Sequence, residues 1–389
     1  MPTSTRQLLI AAAAAAAAAT ALTITASAVP PLRTHANKEE SKADEEIRAK
    51  LPFNLRTWRC PGTDEHTDDQ VWLPLLSFFK KRGYTLWEHE WGLSLVPPEG
   101  SRTTSNGFAY ATASRGLDVF YIFTRWEYMN SISRAARTRT GQDVIVRVIV
   151  VGEQGKNHLN ILRKIARGRA SLFSENHALP MLDELAFQDI VFAVFPKTGL
   201  TLDNAYGRWA QNSVGDIVNM IMQALEGLAF IHSMGIAHRD VFKSNLMIEW
   251  FPESMLTRAP AISHPRVYLI DFECAVEFPA DCPPDERHCV GLPLGDTMPE
   301  AGYIRPVPPE IASGGAYDPF KLDVWQLGTD FGDIRFNVPA IDEVLAAMAD
   351  ANVSTRPSAE EALRALNTVV SEMPPKTLLV APVQQPRVM

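Results

Sequence analysis

One short run of polar residues constrains this chain more than any other feature. His238-Arg239-Asp240 is followed five residues after the aspartate by Asn245, on what must be a loop. A helix is expected before it: Ser213 with Asp216 makes a capping box, and Ile217, Met220, Ile221, Ala224, Leu225, Leu228 and Ile231 recur at helical spacing up to a closing Gly235. Strand-like Leu246-Met247-Ile248 follows, and further on Val267-Tyr268-Leu269-Ile270-Asp271 is an apolar strand ending in a carboxylate. Each polar residue alone reads as a solvated loop or turn-capping group. In this order, with a helix before and strands between, they read as a phosphotransfer constellation. One carboxylate orients an attacking hydroxyl, an amide oxygen holds a metal ion, and the strand-end aspartate holds Mg2+ across two phosphates.

The rest of the chain sets the frame. Of 389 residues, 46% are hydrophobic and 21% charged, which excludes a mostly disordered chain. A net charge of −8 argues against a generally basic nucleic-acid binder. Cys60, Cys274, Cys282 and Cys289 are too few for a disulfide-built scaffold and include no C-x-x-C spacing for zinc. Residues 1–28 follow a signal-peptide plan, with Arg6 as the lone charge, an Ala-rich apolar run and a small-x-small Ala26-Ser27-Ala28 site. An uncleaved anchor and an Ala-rich tail without targeting meaning are the alternatives. Alanine is a weak hydrophobe, so no stable transmembrane span is expected after cleavage. The expected location is the secretory pathway if the leader works, and the cytoplasm otherwise.

Residues 29–104 form a linker and N-terminal extension, acidic at first and then rich in aromatics (Trp58, Trp72, Phe78, Phe79, Trp87, Trp91), read as an extra layer packed on the main domain. Residues 105–375 read as one α+β domain, ending with a helix opened by the capping box Ser358/Glu361, and 376–389 are a tail.

At these motifs the chain resembles the eukaryotic protein kinases, and more narrowly the kinase-like group of mushroom-forming fungi, whose N-terminal extension the stretch at residues 78–87 also resembles. The resemblance implies a bilobal fold with a small β-rich N-lobe and a mainly helical C-lobe, using ATP and Mg2+. It makes Asp240, His238, Arg239 and Lys243 the catalytic-loop residues, and Asn245 and Asp271 the metal ligands. Pro308-Pro309-Glu310 looks like the motif closing the activation segment, Asp323-Val-Trp-Gln-Leu-Gly328 like the central buried helix, and Arg356 like the arginine that pairs with Glu310.

The N-lobe departs from the family pattern. Arg147 stands where the family has its ATP-binding lysine, keeping the charge but not the compact ammonium. His158 occupies the place expected for that lysine's glutamate partner, with Glu153 as a more distant candidate. No glycine occurs in residues 128–140, so the Gly-rich phosphate cradle is missing, while Ala135 or Ala136 is expected to roof an adenine and Phe195-Pro196-Lys197 to form the hinge. In the C-lobe, Glu273 replaces the glycine after Asp271-Phe272 and removes a flexible joint. Phe242 takes the usual lysine position, with Lys243 one residue later. Only 27 residues separate Gly328 from Arg356, which suggests a trimmed docking region. Cys282 and Cys289 would form a disulfide only in an exported protein.

Three functions follow: an ATP- and Mg2+-dependent kinase of Ser/Thr hydroxyls on a protein, a pseudokinase serving as a binding or scaffold module, and a small-molecule hydroxyl kinase. The third draws on Ile270-Asp-Phe-Glu273, and Pro309-Glu310, Asp323-Val-Trp and Arg356 speak against it. The sequence names neither the substrate or signalling partner nor the oligomeric state.

Overall fold

A computed structural model describes residues 35–60, 67–92, 94–98, 125–206, 212–249, 264–298 and 303–384. The leader at 1–28 and the first twenty residues of the expected domain (105–124) lie outside the described residues. Residues 1–46 and 47–389 form two units, and the acidic linker carries a helix over His35–Arg48 with Glu45 and Glu46 exposed.

In the larger unit, short helices over Leu55–Arg59, Thr67–Trp72 and Leu76–Arg82 lead into a five-stranded antiparallel sheet in the order Tyr84–Leu86, Ser133–Thr138, Asp143–Val151, Ile190–Pro196, Asp183–Phe187. The central strand is almost wholly β-branched, as a strand buried on both faces should be. Val144, Val146 and Val148 turn to one face and meet Trp58, Trp72, Phe78 and Phe79 from the extension. Ile145 and Arg147 turn to the other and line a cavity. The aromatics interlock edge to face, with Trp58 and Trp72 centroids 5.6 Å apart and Phe79 and Phe192 5.1 Å apart.

The extension is thus a packed layer, as its aromatic content suggests, but it also supplies the sheet's edge strand, Tyr84–Leu86, from a segment that the sequence places before the domain. Three residues following a helix, with Gly83 at φ +94° turning the chain, are too few to show a strand periodicity.

The C-terminal half is mainly helical. Val214–Ser233 opens with both halves of the Ser213/Asp216 capping box and is buried along Ile217, Met220, Ile221, Ala224, Leu225, Leu228 and Ile231. Long and apolar enough to cross a membrane by composition alone, this helix lies instead at the heart of the C-lobe core. Gly235 ends it at φ +75°, where a Cβ would stand 2.8 Å from the Phe278 carbonyl oxygen, so both conformation and space demand glycine. Helices Pro319–Asp330, Pro339–Met348 and Ala359–Ser371 complete the lobe. Cys282 and Cys289 are free thiols.

Arg356 is fully buried, and its Nη1 lies 2.8 Å from Glu310 Oε1, the pair anticipated from the two motifs. Its fork also donates to the carbonyls of Asp350 (3.0 and 2.9 Å) and Lys321 (3.1 Å). Arg356→Met strands these acceptors together and should cost about 3 kcal/mol of stability, read by urea denaturation. A loss below about 1 kcal/mol would show the pair to be peripheral.

Candidate active site

The catalytic loop is held through its backbone. Asp323, fully buried on Pro319–Asp330, accepts from the amides of His238 (2.8 Å) and Arg239 (2.6 Å) and from His232 Nε2 (2.8 Å). Gln326 from the same helix accepts from Val241 N and donates to Arg239 O, both at 2.9 Å. These bonds hold Arg239 at φ +67°, a left-handed conformation that few non-glycine residues adopt.

Asp240 is thereby placed beside Asn245, whose Nδ2 donates to Asp240 Oδ2 (2.6 Å) and O (2.9 Å). The amide oxygen of Asn245 makes no bond among the described residues. Burial raises the Asp240 carboxyl above its ordinary range, and Arg305 acts against that. Arg305 Nε stands 3.4 Å from Asp240 Oδ1, its Nη2 donates to Ser244 Oγ at 2.8 Å, and its guanidinium sits 4.5 Å from the Phe242 ring centroid. Arg305 thus places a positive charge beside Asp240, with Phe242 as its platform.

Asp271 ends the strand at φ +65°, and Ile270 N donates to Asn245 O at 3.0 Å, tying the two acidic elements together. Burial works to raise the Asp271 carboxyl, but the guanidinium of Arg147, with Arg59 behind it, holds it below the usual carboxylate range. Asn245 and Asp271 offer hard oxygen donors, and no cluster of three or more His, Cys, Asp or Glu exists among the described residues. That donor set fits Mg2+, which keeps waters and borrows phosphate oxygens, and not a cation needing a full protein cage.

Three residues expected in catalysis have other work. His238 Nδ1 accepts from Asp240 N (3.2 Å), which assigns the ring proton to Nε2 and its bond to Ile270 O (2.9 Å). The ring lies against Phe272, centroids 4.6 Å apart, so His238 orients the loop and is fully buried. Arg239 donates to Tyr317 Oη (3.0 Å), Cys274 O (3.2 Å) and Leu292 O (3.3 Å), fastening the activation segment. Lys243 is turned into the C-lobe, with Nζ 2.7 Å from both oxygens of Asp333 and 5.3 Å from the Phe331 ring centroid. Its removal from catalysis is a matter of direction: the loop's short 3-10 turn at Lys243–Asn245 points its side chain inward.

The N-lobe departures resolve differently from expectation. Arg147 Nη2 lies 2.7 Å from Asp271 Oδ1 and 3.2 Å from Glu273 Oε2. Its counter-ions are therefore Asp271 and Glu273, and not a group on helix Lys156–Ile165. Burial, reinforced by Arg147, pushes His158 down to about 3, so this imidazole is neutral and balances no charge. Glu153 pairs with Lys156 at 2.6 Å on the surface. Glu273 also accepts from Thr297 N (3.1 Å) and Thr297 Oγ1. Gly295 makes this approach feasible, since a Cβ there would stand 2.3 Å from Glu273 Cγ.

A cavity of about 290 Å³ lies between the sheet and the C-lobe, with Ile145 and Arg147 above, Met247 and Leu269 below and Asp271 at its inner end. Phe195 and Lys197 line it as the hinge reading expects, and burial pushes the Lys197 ammonium down to about 8, against the pull of Asp143. Lys197 Nζ sits 5.4 Å from the Trp87 ring centroid. Ala135 does not roof this cavity: it clusters with Trp87, Leu95 and Tyr128 and is fully buried. Its cross-strand partner Ile145 lines the space in its stead. Arg59 and Arg305 are site residues that sequence motifs do not reveal, and the pairing of Glu273 with Arg147 is not visible in its motif either.

Residues 170–340 match the family model described as the protein kinase domain. The chain is 33% identical over 106 residues to serine/threonine-protein kinase ppk8 of Schizosaccharomyces pombe, covering 27% of this chain and 17% of that protein. It is 32% identical over 103 residues to serine/threonine-protein kinase oca2 of the same yeast, covering 26% and 13%. With mitochondrial serine/threonine-protein kinase PINK1 of Rattus norvegicus it shares 26% over 164 residues, covering 41% and 24%. The matched segment thus spans a quarter or less of each of these relatives. With its β-sheet in the N-terminal half and helices in the C-terminal half, the chain has the α+β fold of a protein kinase domain, and these matches support a eukaryotic protein-kinase-like family.

Proposed function

We propose that this chain is a divergent protein kinase that transfers a phosphoryl group from Mg2+-bound ATP to Ser/Thr hydroxyls of a protein, and that it resembles the kinase-like group of mushroom-forming fungi. One observation carries the reading: Asn245 bonds to Asp240 and, through its carbonyl, to Ile270 N, next to Asp271, which lines a cavity together with Arg147. Asp240 orients the acceptor hydroxyl and takes its proton, while Asn245 fixes the carboxylate that does so. Mg2+, held by Asn245 and Asp271, supplies neutralisation of the phosphate charge. Arg147 steadies the α- and β-phosphates, and Arg305 keeps a positive charge beside the base.

The pseudokinase reading has one observation in its favour. Arg147 already pairs with Asp271, so the cation for the phosphates and a ligand for the metal are spent on each other. Calorimetric titration of the full chain with Mg·ATP separates the two. Saturable one-site binding, weakened at least about tenfold in Asp271→Asn, is the expected result. Absence of binding by the wild type would leave the scaffold reading in possession.

A further inference from the structure

We propose that the N-terminal extension completes the phosphate end of the cavity, with Arg59 as a second cation for the nucleotide's polyphosphate beside Arg147. The inference rests on the Mg·ATP reading above and extends it to a residue outside every kinase-like motif of the sequence. Helix Leu55–Arg59 is anchored for such a role. Asn54 caps it by accepting from Thr57 N at 2.8 Å, Leu55 and Trp58 are buried, and Leu55 N donates to Gln154 Oε1 at 3.0 Å. Arg59 O accepts from Ser131 N at 3.4 Å, so the residue's backbone is fixed to the chain entering the sheet.

From there the Arg59 side chain reaches the cavity wall. Its Nη1 lies 2.6 Å from Thr297 Oγ1 and 3.6 Å from Glu273 Oε2, the same oxygen that Arg147 Nη2 approaches at 3.2 Å. Two guanidinium groups therefore share the carboxylate of Glu273; with Asp271 on Arg147 the four charges balance, so a cation taken up at Asp271 would leave the group net positive. Among the described residues the Nε and Nη2 of Arg59 make no hydrogen bond, so part of its fork remains for a ligand.

A polyphosphate is the ligand this arrangement suits. Residues 128–140 contain no glycine, so that stretch offers no Gly-rich backbone cradle for phosphates. Guanidinium forks supply the same service by charge-assisted bidentate bonding. Thr297 and Glu273 hold the Arg59 fork in place before any ligand arrives, which limits the ordering cost of binding.

The test compares Mg·ATP with adenosine, which lacks phosphates, by calorimetry on the full chain and its Arg59→Gln and Arg59→Lys variants. Arg59→Gln should bind Mg·ATP about tenfold more weakly, with adenosine affinity unchanged within about twofold. Arg59→Lys, which keeps the charge and loses the fork, should fall between. Unchanged Mg·ATP affinity overturns the proposal, and so does a parallel loss for adenosine, which would mark Arg59 as a structural support. Should Arg59→Gln fail to fold, the lysine variant carries the same comparison. A wild type that binds neither compound sinks the nucleotide reading itself and this inference with it. A wild type that binds both, with Arg59 immaterial, sinks this inference alone.

Discussion

Asp240→Asn should abolish phosphoryl transfer while leaving the fold and Mg·ATP binding in place. The loss expected from removing a general base is on the order of 100-fold to 10,000-fold. The fold should survive because the loop is held by Asp323 and Gln326 through backbone groups and owes little to the Asp240 side chain. Asparagine is the same size and still offers an oxygen to Asn245 Nδ2, so the neighbouring metal ligand should keep its place. What asparagine lacks is the negative charge that orients a hydroxyl and accepts its proton, and with it the partner of Arg305. Incorporation of labelled phosphate from ATP into the protein itself and into a generic basic protein measures the effect, with thermal melting as the folding control. Activity within about threefold of wild type would show that Asp240 is not the base.

Local spacing and tertiary direction divide what the sequence disclosed from what it hid. Asp240, Asn245 and Asp271 were legible because each sits at a fixed offset from a helix end or a strand end, and those offsets set their backbone positions. Asp323, Glu310 and Arg356 were legible for the same reason, through motifs whose mutual contacts are fixed by the fold. Side-chain direction is another matter. Lys243 is one residue from the usual lysine site, and that one residue turns it from the reaction centre to Asp333. Ala135 lies on the cavity-facing side of its strand, yet Trp87 and Tyr128, from elsewhere in the chain, cover it. Arg59, Arg305 and Glu273 acquire their roles only when distant segments meet, and no periodicity or spacing records such a meeting. Glu273 is the instructive case, since a residue that reads locally as a lost hinge is, with Asp271, a counter-ion of Arg147.

That assignment makes the second large prediction. Arg147→Met removes the one guanidinium that faces both Asp271 and Glu273, leaving two carboxylates close together in a largely buried place. Breaking a buried ion pair by deleting one partner costs about 3–5 kcal/mol, much of it the penalty on the charges left behind. Urea denaturation should therefore show a loss of about 3 kcal/mol, allowing for partial exposure of Arg147 and Asp271, and Mg·ATP binding should vanish with it. Glu273→Gln should cost less, since Arg147 keeps Asp271 and the amide can still accept from Thr297. The double variant decides the matter: with Glu273 neutral, losing Arg147 leaves Asp271 as the one carboxylate without its cation and no second carboxylate beside it. Its loss of stability should fall short of the sum of the single losses by about 1–3 kcal/mol. Glu153→Gln in place of Glu273→Gln should show no coupling, because Glu153 pairs with Lys156 on the surface. Additivity of Arg147 and Glu273 within about 0.5 kcal/mol would leave Asp271 as the counter-ion of Arg147 and Glu273 with Arg59 and Thr297.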